Sequence, residues 1–252
     1  MNYRRQDVSI NGVSLRGLDS RVIVRAIRET ENEAEVNFGN LAGRSGRLPI
    51  GQRLRRGKTV EVEFAIRELY DLPARAWVLD MVNAWATDGV LQMSSRLDQR
   101  LNVYCTARAP GGDLRDYNTN YVLTFKTGGI PYWEATSPTT LTVTEAGEHA
   151  LIIPGTAPTV VDADFTAVGA ATSSLTIAVR TGTVTRYFYT GAIAADGNVH
   201  WEHTSDGILI GSVSSLTSLS DDDLFAGPGA VYVSVTADGP FTATFSARGR
   251  WL

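Results

Sequence analysis

Strict alternation of apolar and polar residues recurs along most of this chain. "TVEVEFAIRE" sets Val60, Val62, Phe64 and Ile66 on one side and Glu61, Glu63 and Arg67 on the other, the period-two pattern of a strand with one buried face. "VSINGVSL" carries Asn11-Gly12 between two short apolar runs; both residues tolerate positive φ, so the pattern predicts a tight hairpin. "RVIVRAI", "GVLQMSS", "RLNVYCTAR" and "YVLTFKTG" read as further strands by the same test. One segment changes period. In "DLPARAWVLDMVNAWATDG", Trp77, Met81 and Trp85 recur at spacings of four, with Val78 and Val82 beside them. This predicts a helix over about 72–87 whose tryptophan face covers a sheet. Asp71 is its expected N-cap, Pro73 lies in its first turn, and Gly89 is the expected C-terminal cap.

Beyond residue 140 the pattern is β alone. "SSLTIAVRTG", "VTRYFYTG", "GAVYVSVTADG" and "PFTATFSAR" alternate, with Asp238-Gly239 as an expected hairpin turn and Pro240 at a strand start. Short strands between Gly-rich turns predict an antiparallel sandwich. Leu151, Ile152 and Ile153 run into Pro154-Gly155 and the alternation resumes afterwards, which reads as the place where this second module starts.

Charge supports two modules. The net charge of −4 is a surplus of cations up to Glu134 and a deficit beyond it, where the arginines are Arg180, Arg186, Arg248 and Arg250. "PYWEATSPTTLTVTEAGEH" between them, rich in Thr and Pro, reads as a boundary. The expected domains are 1–140 and 141–252. The single cysteine, Cys105, rules out an intrachain disulfide and reads as a small buried residue. No apolar run reaches the ~20 residues of a membrane span, and "MNYRRQDVSING" lacks the apolar stretch of a secretory signal. Folding in a cytoplasm is expected.

Catalytic and metal chemistry find little support. In "HWEH", strand geometry puts His200 and Glu202 on one face and His203 on the other, so the pair of imidazoles cannot chelate one ion. The run Asp221-Asp222-Asp223 lacks the ligand spacing of a calcium loop. There is no G-x-S-x-G, phosphate loop or dinucleotide fingerprint. Glu61/Glu63 and Asp162/Asp164 are carboxylate pairs on strands, where solvent faces carry charge. No enzyme activity, metal or cofactor is expected.

The segment least like its surroundings is "GNLAGRSGRLPIGQRLRRGK", about 39–58. It carries Arg44, Arg47, Arg53, Arg55, Arg56 and Lys58 among glycines. A structureless stretch of this length within a compact domain is unusual unless it has a task. Nucleic-acid binding, a solvated loop and a subunit-contacting arm are the three readings. The segment has no aromatic residue to stack on a base, and the chain as a whole is acidic. Leu48, Pro49, Ile50 and Leu54 supply apolar anchors within the basic run, and arginine suits interface ion pairs. The arm is the reading these residues favour.

Taken in order, "ING", the basic arm, "TVEVEFAI", the helix, "YVLTFKTGGIPYWEA", "IIPGTAPTVVDADF" and "GPGAVYVSV…FTATFSARGRWL" resemble the distal tail proteins of long-tailed, non-contractile bacteriophages. The resemblance covers nearly the whole chain. It implies a mainly β protein: an N-terminal β-sandwich-like ring domain with one packed helix and a protruding belt arm, then a galectin-like sandwich. It further implies a hexameric ring in the virion tail tip that joins the tail-tube protein to the tail-tip hub (tail-associated) protein and adhesion proteins, with DNA leaving through its lumen. Neither sequence-specific nucleic-acid binding nor membrane insertion is implied. The alternative is a carbohydrate- or receptor-binding module, with Tyr187, Tyr189, Trp201 and Glu202 as candidate sugar contacts. Trp201-Glu202 has no neighbouring arginine, a departure from sugar-binding galectins. A polysaccharide-degrading enzyme is a third reading, with Glu202 as its candidate residue. Whether "RGRWL" ends the sandwich or returns to the first module stays open at this point.

Overall fold

A computed structural model describes residues 6–31, 38–40, 47–49, 57–67, 71–109, 120–128, 132–190, 192–204, 207–210, 213–214 and 225–252. The chain is mainly β and divides into two compact units, Met1–Trp133 and Glu134–Leu252.

In the first unit, β1 (Val8–Ile10) and β2 (Val13–Ser14) precede a short helix, α1 (Leu15–Leu18), and the long strand β3 (Val22–Glu31). A ribbon of β4 (Phe38–Asn40) and β5 (Arg47–Pro49) follows, then β6 (Lys58–Ile66), α2 (Leu72–Trp85), β7 (Gly89–Met93), β8 (Arg96–Ala107) and β9 (Tyr121–Thr127). The main sheet runs β2-β1-β7-β8-β9-β6-β3, with every pairing antiparallel. Asn11 (φ 50°) and Gly12 (φ 81°) make the two-residue turn that pairs Ile10 with Val13, as the sequence predicts. Val60, Val62, Phe64 and Ile66 are all buried. Their face is covered by α2, whose Trp85 meets Phe125 edge-on at 6.3 Å and donates from Nε1 to Val13 O at 2.8 Å.

The helix corrects two expectations. Its buried stripe is Arg75, Val78, Leu79, Val82 and Trp85, while Trp77 is 60% exposed. A spacing of four advances about 40° past a full turn at each step, so the series 77, 81, 85 drifts off the core face and leaves Trp77 outside. Nor does Gly89 cap the helix. Ala86 is the C-cap, and Gly89 opens β7 at φ 152° because the Asn11 side chain occupies the space a Cβ would need, with Oδ1 2.2 Å from that position. Asp71 does occupy the N-cap, though its side chain makes no capping hydrogen bond.

Strand β10 (Trp133–Ala135) carries the change from the first unit to the second. The second unit continues with β11 (Thr139–Val143), β12 (Gly147–Ile153), β13 (Thr159–Ala167), β14 (Leu175–Thr181), β15 (Val184–Thr190) and β16 (Asn198–Thr204). Then come β17 (Gly207–Ile210), β18 (Val213–Ser214), β19 (Phe225–Ala226), β20 (Gly229–Ala237), β21 (Phe241–Ala247) and β22 (Arg250–Trp251). One sheet runs β11-β21-β13-β16-β17-β18, with β19 also on β13; the other runs β12-β20-β14-β15. Their facing sides share one core that includes Phe165, Phe245, Leu151, Ile177 and Val233, so the unit is a two-sheet antiparallel sandwich. Phe165 and Phe241 stack at 5.4 Å within it.

Two further expectations change here. Asp238-Gly239 is not a hairpin turn, because β20 and β21 belong to different sheets. It is an arch across the sandwich, held by Asp238, which accepts bonds from the Ser173 backbone N–H at 2.9 Å and from the Ser173 hydroxyl. Nor does the sandwich begin at Pro154-Gly155, since β11 already pairs with β21 and β12 with β20. The Pro-Gly break has another cause: Gly155 lies at φ 129°, and a Cβ there would fall 2.2 Å from Arg250 O. That close approach holds the C-terminal strand. Thr156 N and Ala157 N donate to Arg250 O at 2.8 and 3.0 Å, and β22 pairs β10, the strand at the change of unit. Arg250 makes a buried pair with Glu134 at 3.0 Å.

Candidate functional site

The arm segment begins and ends at one strand pair. β3 and β6 are antiparallel, with Glu31 opposite Lys58 and Thr30 opposite Thr59. Residues 32–57 are thus a long insertion between two adjacent chain ends. Within it, β4 and β5 pair antiparallel, Phe38 with Pro49 and Asn40 with Arg47, so the segment is not the structureless loop its glycines suggested. Among the predicted arm residues, Arg47 and Leu48 lie in β5. Arg44, Ile50, Arg53, Leu54, Arg55 and Arg56 lie outside the described residues.

Lys58 is the residue of that set at which the insertion ends. Its side chain is 5% exposed and ion-paired with Glu29, with Glu31 at 3.7 Å. It roots the arm rather than reaching out along it. Glu29 is the centre of this root: Trp133 Nε1 donates to its Oε1 at 2.9 Å, and Arg96 Nη2 lies 3.4 Å from Oε2. The Arg96 guanidinium also sits over the Trp133 ring, 4.9 Å from its centroid. Burial acts to raise the Glu29 pKa, but hydrogen bonds from Lys58 and Trp133, with the charges of Lys58 and Arg96, outweigh it and hold the carboxyl below its ordinary value. Gly57 completes the root, since a Cβ there would fall 2.5 Å from Thr127 Oγ1, and Thr127 Oγ1 accepts from Lys58 N at 2.7 Å. Sequence reasoning missed Glu29, Glu31, Arg96 and Trp133. Acidic residues before the arm and a lysine at its return were the available signal.

The candidate sugar contacts fall on two sheets. Tyr187 and Tyr189 pair with Ala178 and Thr176 across β15 and β14. Trp201 and Glu202 are on β16, with Trp201 at the register position opposite Ala163, a residue of the sandwich core. Backbone register does not bring the four onto one face. His200 pairs through Nδ1 with Asp164. Among the described residues no group of three or more His, Cys, Asp and Glu is placed to hold a metal, and no helix is long and apolar enough to cross a membrane. Cys105 is half-buried rather than fully buried, and burial pushes its thiol pKa up, away from nucleophilic reactivity. Asp221, Asp222 and Asp223 lie outside the described residues.

The fold that carries this site belongs to a definite class: a β unit with an arm inserted between two paired strands, followed by a two-sheet sandwich, in one chain. Among solved structures, the chain as a whole is similar in fold to SPP1 Dit (gp 19.1), described as a paradigm of the hub adsorption apparatus in phages that infect Gram-positive bacteria. The likeness has a TM-score of 0.67 at 13% identity and covers 96% of this chain and 98% of that one. No protein-family model matches the sequence, and comparison with curated proteins finds no relative. The resemblance read from the motifs thus holds at the level of the fold.

Proposed function

We propose that this chain is a structural protein of a phage tail tip, an oligomeric hub between the tail tube and the adsorption proteins. The observation that carries the reading is the extent of the likeness to SPP1 Dit: 96% and 98% of the two chains take in both units, not one common sandwich. A fold alone confers no function, so the arm matters independently. A basic, apolar-anchored insertion rooted in a buried ion pair suits a contact with a neighbouring copy. The finer reading is a hexameric ring, closed by head-to-tail contacts that reach through the arm, with a lumen for DNA and a galectin-like second unit facing adhesion proteins. Its role is architectural rather than catalytic.

Light scattering and negative-stain imaging of the full chain, with and without tail-tube protein, test this. Closed rings with an axial opening are expected, and replacing Arg53, Arg55 and Arg56 together with serine should leave folded monomers. A protein that stays monomeric with and without the tube protein would overturn the hub reading. Specific glycan capture by that monomer would move the assignment to the receptor-binding alternative.

A further inference from the structure

One end of the first unit's sheet holds an arginine-lined cavity of about 480 Å³, bounded by Gln6, Arg16, Ser20, Arg21, Ile23, Val24 and Arg67. Its cations come from three elements: Arg16 from α1, Arg21 from the approach to β3, and Arg67 from just past the end of β6. Strand pairing forces two of them together. Val22 is opposite Ile66, and Arg67 N donates to Arg21 O at 2.9 Å, so Arg21 and Arg67 are cross-strand neighbours. Like charges so placed destabilise a sheet. The first unit's core does not require them, as Arg67 is exposed and Arg16 half-exposed.

Among the described residues, one of the three has an acidic partner. Asp19 takes Arg21 as a fork, Nε to Oδ1 at 2.8 Å and Nη2 to Oδ2 at 2.7 Å, and also accepts from Arg21 N. This fixes the Arg21 side chain. Among the described residues, the guanidinium groups of Arg16 and Arg67 have no acidic partner. The cavity therefore carries surplus positive charge beside a fixed arginine, with the Gln6 amide and Ser20 hydroxyl as further donors. Ile23 and Val24 give it an apolar wall.

We infer that this cavity docks a carboxylate-rich peptide segment of a partner protein, held by the guanidinium groups of Arg16 and Arg67 beside the positioned Arg21. Guanidinium forks match carboxylates bidentately. The volume falls in the range of ligand-binding clefts, larger than a lone oxyanion fills. The apolar wall suits the aliphatic stems and neighbouring apolar residues of a peptide, which inorganic phosphate lacks. Among the described residues β3, which supplies that wall, ends the sheet's strand order, so an extended segment can lie along that edge. The inference stands whether or not the chain forms rings.

Fluorescence anisotropy with the full chain tests it, using a labelled SDDDLF peptide and its SNNNLF counterpart. Saturable binding of the acidic peptide alone is expected, weakening as salt rises from about 50 to about 500 mM. Arg16→Ser with Arg67→Ser should weaken it about tenfold or more while circular dichroism and melting stay as in the parent. Arg180→Ser, in the other unit, should change nothing. No binding by the parent, equal binding of the neutral peptide, or full binding by the double serine variant would each overturn the inference. So would inorganic phosphate binding at these arginines when the peptide does not. Should the serine variant misfold, Arg16→Lys with Arg67→Lys keeps the charge and removes the forks; unchanged peptide affinity in that variant would equally count against it.

Discussion

Glu29→Gln is the most informative single change at the arm root. The substitution keeps the side chain's shape and its ability to accept from Trp133 Nε1, and removes only the negative charge. Lys58 is then left with a side chain 5% exposed and, among the described residues, one carboxylate, the exposed Glu31 at 3.7 Å. Removing one member of a buried pair costs roughly 3–5 kcal/mol because the other charge stays buried. Glu29 keeps 20% of its surface in solvent, and a Lys58–Glu31 pair recovers no more than about 1 kcal/mol. The expected cost is therefore about 2–3 kcal/mol. For a unit of this size that lowers Tm by roughly 6–15 °C. The assay is thermal and urea unfolding of the full chain, with Lys58→Met and the double variant completing a cycle. Replacing both members with uncharged groups relieves the unpaired charge, so the double variant should be more stable than the sum of the two single changes predicts. The pH profile adds a sign. The folded pKa of Glu29 is depressed, so its contribution is present above the unfolded value of about 4.3 and is lost as pH falls through the folded value. Glu29→Gln should flatten that acid limb. A cost under about 0.5 kcal/mol, with a coupling energy indistinguishable from zero, would refute the buried-pair argument.

Three other changes probe separate features. Gly89→Ala must fit a Cβ 2.2 Å from Asn11 Oδ1 at φ 152°, and should destabilise the first unit by about 2 kcal/mol in a urea melt. Arg250→Met leaves Glu134 buried without its 3.0 Å partner, and should cost the second unit about 3 kcal/mol by the same measurement. Replacing residues 32–57 with a two-residue turn between Glu31 and Lys58 should leave the first unit as stable or about 1–2 kcal/mol more stable, because a shorter loop closes at lower entropic cost. Self-association should be lost in light scattering.

Local patterns were legible where a single element decides them. The alternation over 59–68 marks a strand because its four apolar side chains face one core, and Asn11-Gly12 marks a turn because its φ values demand it. Partners were not legible. Nothing in β20 or β21 says that they belong to different sheets, since an arch and a hairpin use the same turn residues. Trp77 and Trp85 carry equal weight in a hydrophobic pattern, yet the direction of the core separates them. Gly89 and Gly155 looked like punctuation for their own neighbours, whereas each makes room for a residue far along the chain, Asn11 and Arg250. The arm was visible by its composition. Its root was hidden because Glu29, Lys58, Arg96 and Trp133 come from four separate stretches of sequence.

That root explains how the fold accommodates so long an insertion. The two ends of the arm are adjacent register partners on β3 and β6, so the pairing of these strands is made by residues on either side of the insertion. The cost of ordering the first unit is then met by its own core, and closing the insertion adds a term that grows only slowly with length. The weak point is the junction, where β3 and β6 could separate from the end. Lys58 clamps it from β6 onto Glu29 and Glu31 of β3, and Thr127 fixes the Lys58 backbone from β9. Trp133 and Arg96 then hold the Glu29 carboxylate from the other side. These contacts come from β3, β6, β8, β9 and β10, so opening the junction would require breaking all of them together.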